Sequence, residues 1–301
     1  MQTRVEIVEV GPRDGLQAEE RILDVATRLE LIRRCAAAGA RRIEVCSFAH
    51  PKLLPQMAGA EEIAAAIDPD RTWSAIGLVL NTRGLERALA TDLDEINFVG
   101  YASDGYAGKN TGATAEVRNA EAAELIGAAR AGAKRTSITI AVSFGDPIEG
   151  VVPVDRLAAI AARFAEAGVD EIAMGDTAGV ATPADVAERL AAVRTAAAGT
   201  PLRLHFHNTH NTGYANVVAA LEAGIEALDA SVGGFGGSPF SPGAGGNVAT
   251  EDVVWILDRM GVETGLDAAS LAGTGTWIAG ELGHDGADAM LDRAGPWPPA
   301  G

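Results

Sequence analysis

Cysteine is nearly absent from this chain: Cys35 and Cys46 are the two in 301 residues. They make no C-x-x-C pair and no disulfide framework, so a reducing compartment is the default expectation. The sequence opens into a strand-like segment with no charged-then-apolar leader, which makes the cytoplasm the expected location. Basic residues are also short, 24 Lys and Arg against 41 Asp and Glu, a net charge of −17. That lacks the basic footprint of a nucleic-acid or anionic-membrane partner, while leaving room for an anionic small substrate at a local basic spot. No apolar run is long enough to span a bilayer. Nucleotide and hydrolase signatures are missing as well: G-x-G-x-x-G, G-x-x-x-x-G-K-[ST] and G-x-S-x-G do not occur where their chemistry needs them.

What is present is a repeated alternation of strand and helix patterns. Short apolar runs fall at residues 5–10, 41–47, 73–80, 94–100, 136–143, 169–175, 201–207 and 225–231. Helical periodicity follows each of them, at about 24–38, 59–66, 83–90, 115–131, 154–167, 182–196, 212–223 and 249–260. Eight such units predict a closed (β/α)8 barrel, an α/β TIM barrel of about 250 residues. With 48% apolar residues the chain can bury a sizeable core. We expect the barrel domain over residues 1–285, with a short helical extension at its C-terminal end. The tail over 286–301, with its Pro296-Trp297-Pro298-Pro299, should be poorly ordered.

A barrel enzyme builds its site at the C-terminal ends of its strands, so polar residues there are informative. His205 and His207 close the seventh run and, two apart on a strand, point the same way. A lone His-x-His is also what an ordinary polar strand end looks like. The other strand ends, however, carry Arg13 and Asp14, then Glu44 with Cys46 and Ser47, then Asp176, and after the eighth run Ser238 and Asn247. Asp14, His205, His207 and Asn247 make a two-nitrogen, two-oxygen donor set suited to Mg²⁺, Mn²⁺ or Zn²⁺ with open positions. Without a cysteine beside the histidines, a closed structural zinc site does not fit. Arg13 would supply fixed positive charge for an enolate or oxyanion. Glu44 and Asp176 would orient the arginine and the histidines from behind.

The order of motifs resembles the 3-hydroxy-3-methylglutaryl-CoA lyases, within the wider group of metal-dependent TIM-barrel carbon–carbon lyases. The stretches are Val8-Glu9-Val10-Gly11-Pro12-Arg13-Asp14-Gly15-Leu16-Gln17, Ile43-Glu44 with Ser47-Phe48, Pro51-Lys52, Gly175-Asp176-Thr177, His205 with His207, Gly243 to Asn247, and Ala249-Thr250-Glu251-Asp252. They run over about residues 4–285. The resemblance implies a divalent cation, Mg²⁺ or Mn²⁺ before Zn²⁺, on Asp14, His205, His207 and Asn247. It implies retro-Claisen cleavage of a 3-hydroxy-3-substituted acyl-CoA to a keto acid and an acyl-CoA such as acetyl-CoA, of the kind used in leucine degradation and ketone body metabolism. Arg13, Asp14, Glu44, Asp176 and Ser238 would then be catalytic. Lys52 and Ser47 would lie on the CoA side, Glu251 behind the metal, and the chain would form a dimer or tetramer.

One departure matters. Where the family carries Gly-Gly-Cys-Pro, with a cysteine thought to move a proton, this chain has Gly236-Gly237-Ser238-Pro239. A serine hydroxyl is far less acidic than a thiol. Ser238 with a water could serve, or Cys46, two residues after Glu44 on the same predicted face, could substitute, or the reaction could be a condensation or aldol cleavage. The expectation is that barrel, metal and bond cleavage are kept while the substrate has shifted. A metal-dependent aldolase on a free 2-oxo acid and a non-catalytic acyl-CoA-binding barrel are the competing readings.

Overall fold

A computed structural model describes residues 2–237 and 246–295. Eight strands lie in it: β1 (Glu6–Glu9), β2 (Arg42–Ser47), β3 (Ser74–Leu78), β4 (Glu95–Tyr101), β5 (Arg135–Ala141), β6 (Glu171–Asp176), β7 (Leu202–Phe206) and β8 (Ala227–Ala230). Each pairs in parallel with the next, and β8 closes on β1. The fold is therefore the (β/α)8 barrel that the alternation predicts. The intervening helices are α1 (Val25–Ala37), α2 (Ala60–Ala66), α3 (Thr82–Leu89), α4 (Asp104–Thr111), α5 (Ala115–Ala131), α6 (Val154–Glu166), α7 (Pro183–Ala196), α8 (Gly213–Glu222) and α9 (Thr250–Arg259). Their starts follow local chemistry. Asp24 accepts from Thr27 N at 2.7 Å to begin α1. Thr182 and Asp185 form a reciprocal capping box ahead of α7, with Pro183 at its first position.

Two helices go beyond the repeating pattern. α4 inserts between β4 and α5, where Gly105 and Gly108 weaken the helical signal. α10 (Ala268–Leu282) packs on α1 and α9 beyond the eighth unit. Ordered structure continues past residue 285 as well: α11 (Met290–Ala294) begins where Met290 N and Leu291 N donate to the Asp252 carboxylate, at 2.8 and 2.7 Å. Residues 296–301 lie outside the described residues. No helix among the described residues is long and apolar enough to cross a membrane.

Apolar packing fills the layer between strands and helices, with Phe98, Phe164, Phe206, Leu31 and Ile43 among its largest buried side chains. The inside of the barrel is different. Val8, Val10 and Ile76 form a small apolar patch there. Charge fills much of the rest: Arg42 bonds Glu95 at 2.9 Å and Glu171 at 2.6 Å, and Arg203 lies 3.3 Å from Glu171 and 3.1 Å from Asp229. Each carboxylate has a cation, which is the condition for burying charge at tolerable cost.

The pairing of β2 with β3 slips between Glu44 and Cys46. This irregularity overturns the expectation that the two share a face, because a one-residue slip reverses side-chain direction. Glu44 reaches Asn97, two strands away across the barrel interior. Cys46 instead joins the outer apolar layer, in the field of Arg28 on α1 and Arg87 on α3.

Candidate active site

The site is assembled at the C-terminal mouth of the barrel. After β1 the chain enters a single wide turn, Gly11–Gly15, in which the N–H groups of Arg13, Asp14 and Gly15 all point at the Val10 carbonyl, at 3.1, 2.7 and 3.2 Å. Pro12 stiffens the entry to the turn. The turn is pinned from outside by Glu9, whose buried carboxylate accepts from Gly11 N at 2.7 Å, Val232 N at 3.0 Å and Thr250 Oγ1 at 2.7 Å.

Arg13 is tightly held. Its Nε donates to Glu44 Oε2 at 2.6 Å, with Nη2 paired to the same oxygen at 2.5 Å, while Nη1 donates to Asp14 Oδ1 at 2.6 Å and to Gln17 at 3.3 Å. Glu44 is braced in turn by Asn97, whose amide donates to its second oxygen at 3.0 Å. Arg13 and Glu44 are thus in direct contact at the barrel mouth. Burial disfavours charge on Asp14, but Arg13 and the two histidines outweigh it and hold its carboxyl well below the usual range.

His205 and His207 face each other across 3.2 Å between their Nε2 atoms, and His205 Nε2 lies 3.9 Å from Asp14 Oδ2. The three donor atoms lie within 4.8 Å of one another. His205 Nδ1 is 3.2 Å from Asp229 Oδ2. Assigning the proton to Nδ1, where the carboxylate can accept it, turns the Nε2 lone pair toward His207 and Asp14. Two ligand atoms held about 2.1 Å from one ion at a right angle stand about 3 Å apart, so the imidazole spacing fits a shared divalent cation. Burial pushes His207 down to about 4, with His205 adding to the effect, which keeps it neutral and available as a ligand. Burial also opposes a proton on His205, yet Asp229 and Asp14 overcome it and raise that group.

Asn247 arrives from the far side of the loop after β8. Val248 N donates to the Phe206 carbonyl at 3.1 Å and Asn208 N to the Gly246 carbonyl at 3.0 Å, which lays Asn247 beside His207. Its side-chain nitrogen donates to Asp14 Oδ2 at 2.8 Å and to the Phe235 carbonyl at 3.0 Å. Gly236 makes this approach feasible: a Cβ there would meet the Asn247 amide at 2.4 Å, and its φ of +110° suits glycine alone.

Other expected residues sit differently. Asp176 is buried at the end of β6, but its carboxylate accepts from Val180 N at 2.9 Å and Ala181 N at 3.1 Å, fastening its own loop; burial pushes it up to about 6. The carboxylate within hydrogen-bond distance of His205 Nδ1 is Asp229, which the sequence reading passed over. Glu251 holds Gly233 N at 3.0 Å and does not contact the donor set. Ser47 is buried and accepts from Ala49 N at 3.2 Å, while Lys52 is exposed on the loop after β2. Ser238 lies outside the described residues. Cys46, buried, has its thiol pushed up to about 12, which makes it a poor substitute acid.

Comparison with known proteins follows the same lines. The model of the family described as HMGL-like matches residues 4–278. The chain is 39% identical to (R)-citramalyl-CoA lyase of Chloroflexus aurantiacus, over 97% of this chain and 95% of that one. It is 36% identical to the mitochondrial hydroxymethylglutaryl-CoA lyase of Gallus gallus, over 93% and 94%. Among solved structures, an HMG-CoA lyase from Acinetobacter baumannii in complex with coenzyme A and 3-methylmalate superposes with a TM-score of 0.94 at 32% identity, covering 99% of this chain and 97% of that one.

Proposed function

The chain belongs to the HMGL-like family and is a carbon–carbon lyase, and from that premise we propose that it cleaves a 3-hydroxy-3-methyl acyl-CoA carrying a free carboxylate, with Mg²⁺ or Mn²⁺ as its cation. The observation that carries this reading is the convergence of Asp14, His205 and His207 beside Arg13 at the barrel mouth. Asp14, His205 and His207 would hold the cation, with Asn247 turning its amide oxygen inward as the fourth donor. When bound, such a cation supplies positive charge that acidifies a hydroxyl group and steadies an oxyanion.

The protein's own residues carry the rest. Arg13, locked by Glu44 and Asp14, holds its guanidinium charge in place before the substrate arrives, so no reorganisation is needed when charge develops on the thioester oxygen. The tertiary hydroxyl gives its proton to a basic group of this cluster. The bond between C2 and C3 breaks, C3 becomes the carbonyl of the keto acid, and the electron pair passes to the acyl-CoA enolate. A proton returned to that carbon completes the acyl-CoA. Ser238 with a water is our candidate donor for that last transfer. Asp176, by fastening the loop after β6, shapes the rim on that side. Ser47, the last residue of β2, and Lys52, on the loop that follows it, are our candidates for the CoA side.

Two substrates fit this description. Hydroxymethylglutaryl-CoA gives acetoacetate and acetyl-CoA. Citramalyl-CoA, one methylene shorter between the carbinol and the carboxylate, gives pyruvate and acetyl-CoA. The second is favoured by the likeness to a citramalyl-CoA lyase, 39% identical over 97% of this chain. One methylene is worth about 1–3 kcal/mol, or roughly 10–200-fold in kcat/KM. A side-by-side cleavage assay should therefore separate them by at least about tenfold. Equal rates on free citramalate would point instead to an aldolase that ignores CoA.

A further inference from the structure

The barrel interior holds more charge than its packing needs. Arg203 and Asp229 are both almost fully buried, and neither belongs to the donor set. They sit on the inward faces of β7 and β8, with Arg203 two residues before His205 on the same face. Asp229 lies between Arg203, 3.1 Å from one oxygen, and His205 Nδ1, 3.2 Å from the other. Arg203 is anchored in turn by Glu171 at 3.3 Å, Glu171 by Arg42 at 2.6 Å, and Arg42 by Glu95 at 2.9 Å.

We propose that Asp229, held from below by Arg203, is a positioning residue that sets the ring orientation and tautomer of His205. The contact accounts for geometry that the ligands alone leave open. An imidazole on a strand end can turn about χ2 through a broad range and can present either nitrogen. An acceptor fixed at Nδ1 removes both freedoms and leaves Nε2 facing His207 and Asp14. Such partners of metal-ligating histidines govern affinity by about 10–100-fold. Arg203 explains why Asp229 stays where it is. A carboxylate buried beside a cation site and lacking its own counter-charge would swing toward that cation; the guanidinium holds it on the far side of the ring. The arrangement also gives meaning to the row of charges beneath, which keeps Arg203 from turning outward.

This inference rests on the metal-site reading above, and the test separates the two. Mn²⁺ binding to the full chain is followed by the loss of the free-ion electron paramagnetic resonance signal, for wild type, Asp229→Ala, Asp229→Asn and Arg203→Lys. Side-chain ¹⁵N NMR of the metal-free proteins, at a pH high enough that the His205 ring is neutral, reads its tautomer directly. We expect the Mn²⁺ Kd to rise about 10–100-fold in Asp229→Ala. Asp229→Asn, which keeps an acceptor oxygen, should fall between that value and wild type. The His205 signals should change from a single Nδ1–H form in wild type to a mixture in Asp229→Ala. Should Asp229→Ala fail to fold, Arg203→Lys carries the test, with a several-fold rise in Kd expected. A folded Asp229→Ala, or failing that Arg203→Lys, with a Kd within about threefold of wild type overturns the inference. A wild type that takes up no Mn²⁺ overturns the metal-site reading and this inference with it.

Discussion

Replacing Glu9 by glutamine should change how stability depends on pH, in a direction fixed by the structure. Glu9 is 1% exposed and accepts three hydrogen bonds, from Gly11 N, Val232 N and Thr250 Oγ1. Those bonds favour the carboxylate, but burial outweighs them and pushes the group from 4.5 up to about 7. Between those values the folded protein keeps a proton that the unfolded chain has released. Folding is therefore favoured by Glu9 most at low pH, and its contribution declines as pH rises through that window, levelling off above about 7. The rise corresponds to about 3 kcal/mol. Glutamine cannot ionise, so the wild-type stability minus that of Glu9→Gln should fall by about 3 kcal/mol between pH 4.5 and 8. Urea unfolding followed by far-UV circular dichroism at closely spaced pH values measures this difference. The comparison matters because His207, pushed down to about 4, acts oppositely: its contribution is lost as pH falls below 6.5. That loss is common to both proteins and cancels. A difference that stays flat within about 0.5 kcal/mol, or that grows with pH, would refute the reasoning.

Other outcomes follow from the same contacts. Asp14→Ala removes a cation donor and a partner of Arg13, so Mn²⁺ uptake should be lost and kcat/KM should fall by at least about 10³-fold, measured by titration and steady-state kinetics. Both thiols are buried and pushed up, so a thiol-specific chromogenic reagent should modify neither Cys35 nor Cys46 in the native protein and both after unfolding; Cys46→Ala should keep cleavage within about twofold. Asp252→Ala deletes the cap of α11 and the acceptor of the Tyr214 hydroxyl at 2.9 Å. It should cost about 2 kcal/mol in urea unfolding.

The barrel was legible because its signal is periodic. Eight apolar runs, each followed by a helical pattern, leave few alternatives, and the rule that barrel sites sit at strand ends turned scattered polar residues into one cluster. Arg13, Asp14, His205, His207 and Asn247 do come together. What stayed hidden depends on distances across the barrel. Asp229 stands in the apolar strand Ala227–Ala230 as conspicuously as Glu44 does in Arg42–Ser47, yet only the closed barrel shows that it touches His205. Arg203, Glu171 and Glu95 drew no expectation from the sequence, because pairing across the interior is what buries them together. Cys46 was misplaced because a strand irregularity leaves no mark in composition. Asp176 was assigned to the histidines from its position alone, whereas its nearest donors are the backbone of its own loop. α4 was passed over because its glycines argue against a helix that Ser103 caps and α5 supports.

The most direct test of the account is cleavage by the purified protein after chelation and after return of Mn²⁺. Hydroxymethylglutaryl-CoA and citramalyl-CoA are supplied in parallel, with acetyl-CoA, acetoacetate and pyruvate followed as products. Acetyl-CoA should form from at least one of them together with its matching keto acid, chelation should abolish the release, and Mn²⁺ should restore it. Cleavage that persists in the chelated protein, or a folded, Mn²⁺-loaded protein that releases acetyl-CoA from neither substrate, would contradict it.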